Sequence, residues 1–208
     1  MLNVHVREVG PYQMNTIVVW CNSTREAIWF DPGAEVEEML RWIRENELHV
    51  TRLVNTHGHV DHIAENGIAK AALNVPLCIH SADSRKLSDP MLNLSAWTGM
   101  EVISPEADEL LDEGSDLNCG EHELRAMHIP GHSPGSLVFY SPGILIAGDT
   151  LFLEGVGRTD FPDGNERDLY RAIREKIFAL PDDTVIYPGH GPTTTVGNEK
   201  LHNPFIRP

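Results

Sequence analysis

Three histidines and an aspartate fall within the six positions from His57 to His62, in the stretch Asn55-Thr56-His57-Gly58-His59-Val60-Asp61-His62. A single histidine near a strand end usually bonds to backbone or lies at the surface. Four ligand-type side chains, with a glycine between the first two, ask for another explanation. In extended backbone, residues two apart face the same side, so His57 and His59 can share one ion. Asp61 and His62 lie in the turn that follows and can reach a second. Imidazole combined with carboxylate suits zinc, iron or manganese better than calcium or magnesium.

Three later stretches repeat the design. "RAMHIPGH", "ILIAGD" and "VIYPGH" are apolar runs that close on Gly or Pro with His or Asp at the exit, giving His132, Asp149 and His190. Singly, Asp149 reads better as a cap and His132 as a turn residue than as ligands. Together with the first cluster they make seven candidate ligands. Ligands gathered from one end of several strands are how α/β sheets build active sites. A closed structural zinc takes four ligands and a catalytic zinc three plus water, so seven are too many for one ion and point to two.

The elements that must position these residues can be read from periodicity. "NVHVREV", "NTIVVW" and "EAIWFDPG" read as strands. From Ala34 to Asn46, Val36, Met39, Leu40 and Ile43 recur at helical spacing. "VTRLVNT" is a strand, Ile63 to Leu73 a helix and "PLCIH" a short strand. A polar stretch from Ser81 to Pro105 has room for a short helix. The second half opens with strands near "DELLDEG" and "HELRAMHIPG", then "SLVFYSPG" and "GILIAGD". Residues 166 to 179 form a helix with Leu169, Ala172, Ile173 and Ile177 on one face, "DTVIYPGHG" is a late strand, and the end is helical or irregular. Two mixed sheets packed together with helices outside, in one domain spanning 1–208, is the expected architecture.

Composition limits the partners. Sixteen basic against 31 acidic side chains give a net charge of −15, which leaves no basic stripe for nucleic acid or an anionic membrane. Cys21, Cys78 and Cys119 are far apart and in no CxxC pair, so neither a disulfide framework nor a thiolate zinc site is expected. The N-terminus lacks the pattern of a signal peptide, and no apolar run reaches the roughly 20 residues of a membrane span. A reducing, cytoplasmic setting is the expectation; oligomeric state is not readable.

The stretch "THGHVDH" resembles the HxHxDH signature of the metallo-β-lactamase superfamily, and the later His132, Asp149 and His190 match its remaining ligand motifs in order. The resemblance implies a four-layered αβ/βα sandwich of two mixed β-sheets with a binuclear site at one edge. It assigns His57, His59 and His132 to the first metal and Asp61, His62 and His190 to the second, with Asp149 bridging. "IPGHSPGSLVFY", "AGDTLFLEGVGRTD" and "YPGHGPTTT" are similar to the short, single-domain branch of glyoxalase II-like (hydroxyacylglutathione hydrolase-like) enzymes. Class B1 β-lactamases carry cysteine where Asp149 stands, and flavodiiron oxidoreductases carry glutamate in place of His59. Arg158, in "GRTD", resembles part of a family loop near the site and is a candidate support for the ligands.

What the resemblance implies is a thioester hydrolase of S-acyl glutathione-like substrates, using two divalent ions, zinc first and iron or manganese as alternatives. Hydrolysis would run through a metal-bridging hydroxide that Asp61 orients. Only 18 residues follow His190, so the helical glutathione-binding domain of full-length glyoxalase II is not expected, and the thiol carrier is open. The alternative is a persulfide dioxygenase with one iron, a relative that shares "GRTDF". A metal-binding module without catalysis is a third reading, disfavoured by the surplus of ligands. One competing motif, Gly131-His132-Ser133-Pro134-Gly135, fits the G-x-S-x-G nucleophile elbow. That elbow needs the N–H of the residue after serine, and Pro134 has none.

Overall fold

The computed structural model describes residues 1–208. In chain order the strands of the first half are β1 (Leu2–Val9), β2 (Met14–Cys21), β3 (Glu26–Phe30), β4 (His49–Val54), β5 (Leu77–His80) and β6 (Glu109–Leu111). Those of the second are β7 (Asp116–Cys119), β8 (His122–His128), β9 (Leu137–Ser141), β10 (Ile144–Gly148), β13 (Val185–Pro188) and β14 (Thr194–Thr195), with β11 (Leu151–Phe152) and β12 (Gly155–Val156) forming a small hairpin between β10 and β13. They make two six-stranded mixed sheets, ordered β1-β2-β3-β4-β5-β6 and β14-β13-β10-β9-β8-β7.

Helices α1 (Val36–Glu45), α2 (Val60–Ile63) and α3 (Asn66–Leu73) belong to the first half, and α4 (Glu166–Ala172) and α5 (Val196–His202) to the second. Alternation along the strands decides what lies where. Ile28, Phe30 and Val54 face Ala126, Phe139 and Ile146 across the gap between the sheets, where the Phe30 and Phe139 rings lie 5.0 Å apart. The opposite face of the first sheet buries Trp29, Leu53 and Ile79 under α1, whose Val36, Met39, Leu40 and Ile43 supply the stripe read from the sequence. Val138, Leu145 and Ile186 do the same under α4. The result is the expected four-layered sandwich. All three cysteines are buried free thiols in the inter-sheet core. No helix is long and apolar enough to cross a membrane.

Three local readings change. The "DELLDEG" strand does not begin the second sheet: β6 pairs in parallel with β5 and closes the first. Its three residues give a face but not a partner. The helix expected over Ile63–Leu73 is interrupted by a turn at Ala64 and Glu65, and α3 starts at Asn66, whose buried side chain bonds to Asn55 and Ser104. The helix expected over 166–179 is α-helical only to Ala172 and then widens into a π turn over Ile173–Ile177.

Candidate metal centre

Parallel pairing brings the ligand-bearing ends together. β10 runs parallel to β13 and, through antiparallel β9, in the same direction as β8, so His132, Asp149 and His190 leave the second sheet at one end. β3 and β4 are parallel in the first sheet, and the 57–62 segment leaves β4 opposite that end. All seven residues singled out by spacing meet there.

His57 Nε2, His59 Nδ1 and His132 Nε2 form a triangle with sides of 2.9, 3.1 and 3.2 Å. Nitrogens about 2.0–2.1 Å from a tetrahedral zinc are separated by about 3.3 Å, so the triangle is nearly the size that a metal requires. Hydrogen bonding among the rings does not account for it. His132 Nδ1 donates to the Arg158 carbonyl at 2.8 Å, and His57 Nδ1 faces the Thr56 hydroxyl at 3.2 Å, which itself donates to Asp31. With those outer protons in place, the Nε2 atoms of His57 and His132 present lone pairs to each other, an arrangement a cation relieves.

A second group adjoins the first. His190 Nε2 lies 3.2 Å from Asp61 Oδ2, and His62 Nε2 lies 3.7 Å from the same oxygen. Asp149 stands between the groups: its Oδ1 is 3.4 Å from His62 Nε2, and its Oδ2 is 3.5 Å from His132 and 3.6 Å from His190. His62 Nε2 and Asp149 Oδ1 are buried without a hydrogen-bond partner, a costly state for polar atoms unless a ligand meets them. His57–His59–His132, His57–His62–Asp149 and Asp61–His62–His190 are each compact enough to hold an ion.

Electrostatics follow burial and neighbours. Burial, with other imidazoles close by, holds His57 and His59 well below the ordinary histidine range; burial also lowers His132. Neutral imidazole is the form that ligates. Burial pushes His62 in the same direction, but Asp61, Asp31 and Asp149 outweigh it and raise it well above that range. For Asp61 and Asp149 burial opposes ionisation, yet the adjacent histidines hold both carboxyls below the usual carboxylate range.

The supporting residues are mostly new. Asp31 is almost fully buried and accepts from the Thr56 N–H at 2.8 Å, the Thr56 hydroxyl at 2.7 Å and His62 Nδ1 at 2.9 Å. It sits at the exit of β3 in "WFDPG", an apolar run closing on Pro-Gly, so the signal that found the ligands also marked it. Asp83 carries no such mark. It is fully buried and accepts from Gly58 N–H at 2.8 Å, Gly135 N–H at 2.7 Å and the Ser133 hydroxyl at 2.5 Å, tying the two histidine loops together. Ser133 is therefore a buried donor rather than an exposed nucleophile. Asn15 holds the last loop through the Pro188 and Gly191 carbonyls, and His190 Nδ1 donates to the Tyr12 carbonyl. Arg158 contributes its backbone carbonyl to His132. Its exposed guanidinium pairs with Asp160 and lies 4.7 Å above the Phe161 ring. Phe161 packs edge-on against His59 and His132.

The centre opens into a cavity of about 440 Å³ whose walls include His59, Asp61, His132, Asp149, His190, Phe152, Phe161 and Trp97. The family model of the metallo-β-lactamase superfamily matches residues 9–190, a span that contains every one of these ligands. The chain belongs to this superfamily. Its relatives include the probable metallo-hydrolase YqgX of Bacillus subtilis, 37% identical over 95% of this chain and 94% of the relative. The hydroxyacylglutathione hydrolase GloC of Haemophilus influenzae is 33% identical over 99% and 98%. Among solved structures, BLEG-1 B3 metallo-β-lactamase superposes with a TM-score of 0.94 at 36% identity, covering 98% of this chain and 99% of that one. TTHA1623 in a di-iron-bound form gives 0.86 at 32%, covering 97% and 100%.

Proposed function

We propose that this chain is a metal-dependent hydrolase that cleaves an acyl thioester of the S-acyl glutathione kind. The observation that carries the reading is Asp149, whose two carboxylate oxygens face different histidines. A carboxylate so placed suits two adjacent ions. His57, His59, His132 and Asp149 would hold one, and Asp61, His62, His190 and Asp149 the other. The nitrogen and oxygen donors suit zinc, and iron or manganese as well; the di-iron form of TTHA1623 supports the pairing. When bound, such a pair supplies Lewis acidity and a water that ionises near neutral pH.

The chain's own groups do the rest. Asp61, ionised and partly open to the cavity, accepts a hydrogen bond from the attacking water and fixes its direction toward the carbonyl carbon. Phe152 and Phe161 narrow the cavity around the reacting thioester and exclude bulk water. A thiol has a pKa of about 8.5, so the leaving sulfur departs as thiolate without a dedicated acid. An amide nitrogen would need one. This, with the similarity to GloC along nearly its whole length, supports the thioester over a β-lactam, the second reading that similarity to BLEG-1 supports.

The test is a substrate panel on metal-loaded protein in rigorously anaerobic buffer: S-acyl glutathione, simple acyl thioesters and a chromogenic β-lactam, followed by glutathione persulfide with an oxygen electrode. Thioester cleavage is expected at the same rate with and without oxygen. Persulfide-dependent oxygen uptake without anaerobic thioester cleavage would make the chain a dioxygenase instead, and β-lactam turnover alone would make it a lactamase.

A further inference from the structure

A second cavity adjoins the candidate metal centre. Its volume is about 410 Å³, and Tyr12, Val60, Asp61 and Thr98 line both it and the site cavity. Small-molecule sites occupy about 300–1,000 Å³ and are mostly apolar. This one is walled by Val9, Met14, Ala64, Met100 and Val102 beyond the shared residues. It offers no cation. Its charged residues are Asp61, which faces the histidines, and Glu65, whose Oε2 accepts the Val36 N–H at 2.8 Å at the start of α1. A glutathionyl group, with two carboxylates, would find only like charge there. The site cavity, by contrast, has Arg158 on its wall beside Phe161.

The rim carries a further observation. Trp97, on the site cavity, is 74% exposed, and Met100, on the second, is 77% exposed. These two side chains add apolar surface to the mouth shared by the cavities, which suits an apolar ligand.

We propose that the second cavity receives the acyl arm of the substrate, as an uncharged aliphatic chain longer than acetyl. The thioester carbonyl then lies beside Asp61, and the thiol carrier extends toward Arg158. The inference rests on the thioesterase reading above and adds the chemistry of the acyl group to it. Asp61 and Thr98, common to both cavities, stand where the chain passes from one to the other.

The test uses metal-loaded full-length protein and acyl thioesters of one small uncharged thiol, N-acetylcysteamine, from acetyl to octanoyl. kcat/KM should rise roughly threefold per added methylene, as partial burial of each CH₂ allows, until the cavity is full. Ala64 is exposed, in helical backbone just after α2, so a larger side chain there enters the cavity without disturbing the core. Ala64→Phe should lower the hexanoyl-to-acetyl ratio about tenfold, consistent with the loss of a few buried methylenes. Calorimetric titration with ketone analogues, in which CH₂ replaces the sulfur, should show the same chain-length trend and the same loss in Ala64→Phe. Thioester cleavage with a flat chain-length profile would overturn the acyl-arm assignment and leave the hydrolase reading standing. Chain-length-dependent binding of the analogues with no cleavage of any thioester would do the reverse.

Discussion

Asp31 shows how much of a metal centre lies outside its ligands. Its two oxygens take three protons, and one of them sets His62 with Nε2 turned inward. A carboxylate behind a ligating imidazole fixes the tautomer and raises basicity, and losing it typically costs about 10–100-fold in metal affinity. Asp31→Asn keeps the shape but replaces one acceptor oxygen with a donor and removes the charge. It should weaken binding at the Asp61–His62–His190 group by about that factor, measured by competition with a chromophoric chelator. Unchanged affinity in a folded variant would reduce Asp31 to a loop support. The seven candidate ligands were legible because they cluster in short segments that follow strand ends, most of them marked by Gly or Pro. Asp83 was not, since its partners Gly58, Ser133 and Gly135 lie 25 to 52 positions away and nothing local announces them.

At the scale of elements, glycines at the strand exits have a steric purpose that spacing alone does not reveal. A Cβ at Gly189 would fall on Asp149 Oδ1 and come within 2.9 Å of His62 Cε1, and one at Gly33, after β3, would overlap the Asp61 carbonyl oxygen. Strand exits thus meet backbone to side chain, with no room for a methyl group. Gly189→Ala should displace Asp149 from both groups at once, lowering metal affinity by at least about tenfold at each, as titration with a competing chelator would show. Retention of two ions with parent affinity would argue against Asp149 as a shared ligand. The same close approach explains which elements sequence patterns capture. Apolar periodicity located α1 to within two residues because its partner is a uniform hydrophobic face. It missed the turn at Ala64 and Glu65 between α2 and α3, because apolar spacing does not report the polar contacts of Asn66 with Asn55 and Ser104 that accompany it.

For the whole molecule, the centre is a place where buried polar groups from both halves of the chain converge. His57, His59, Asp61 and His62 come from the first half, His132, Asp149 and His190 from the second, and the inter-sheet core between them is apolar. Without a cation the same place concentrates unfavourable terms: facing imidazole lone pairs, and buried atoms of His62 and Asp149 with no partner. Ions bound here would act only on the folded chain, because the first cluster lies 73 or more residues from the later ligands it shares an ion with, and unfolding disperses them. Binding confined to the native state adds RT ln(1 + [L]/Kd), about 4 kcal/mol at a thousandfold excess over Kd. In a chain of this size each kcal/mol moves Tm by about 2–4 °C. Stripping the metals should therefore lower Tm by about 10 °C, and restoring zinc or iron should recover it in a two-equivalent titration monitored by circular dichroism. The shift should grow with free metal concentration, which separates binding from a non-specific effect of the chelator. A melting curve indifferent to chelation and to added metal would show that the folded chain binds no ion at this convergence, and the hydrolytic reading would fall with it.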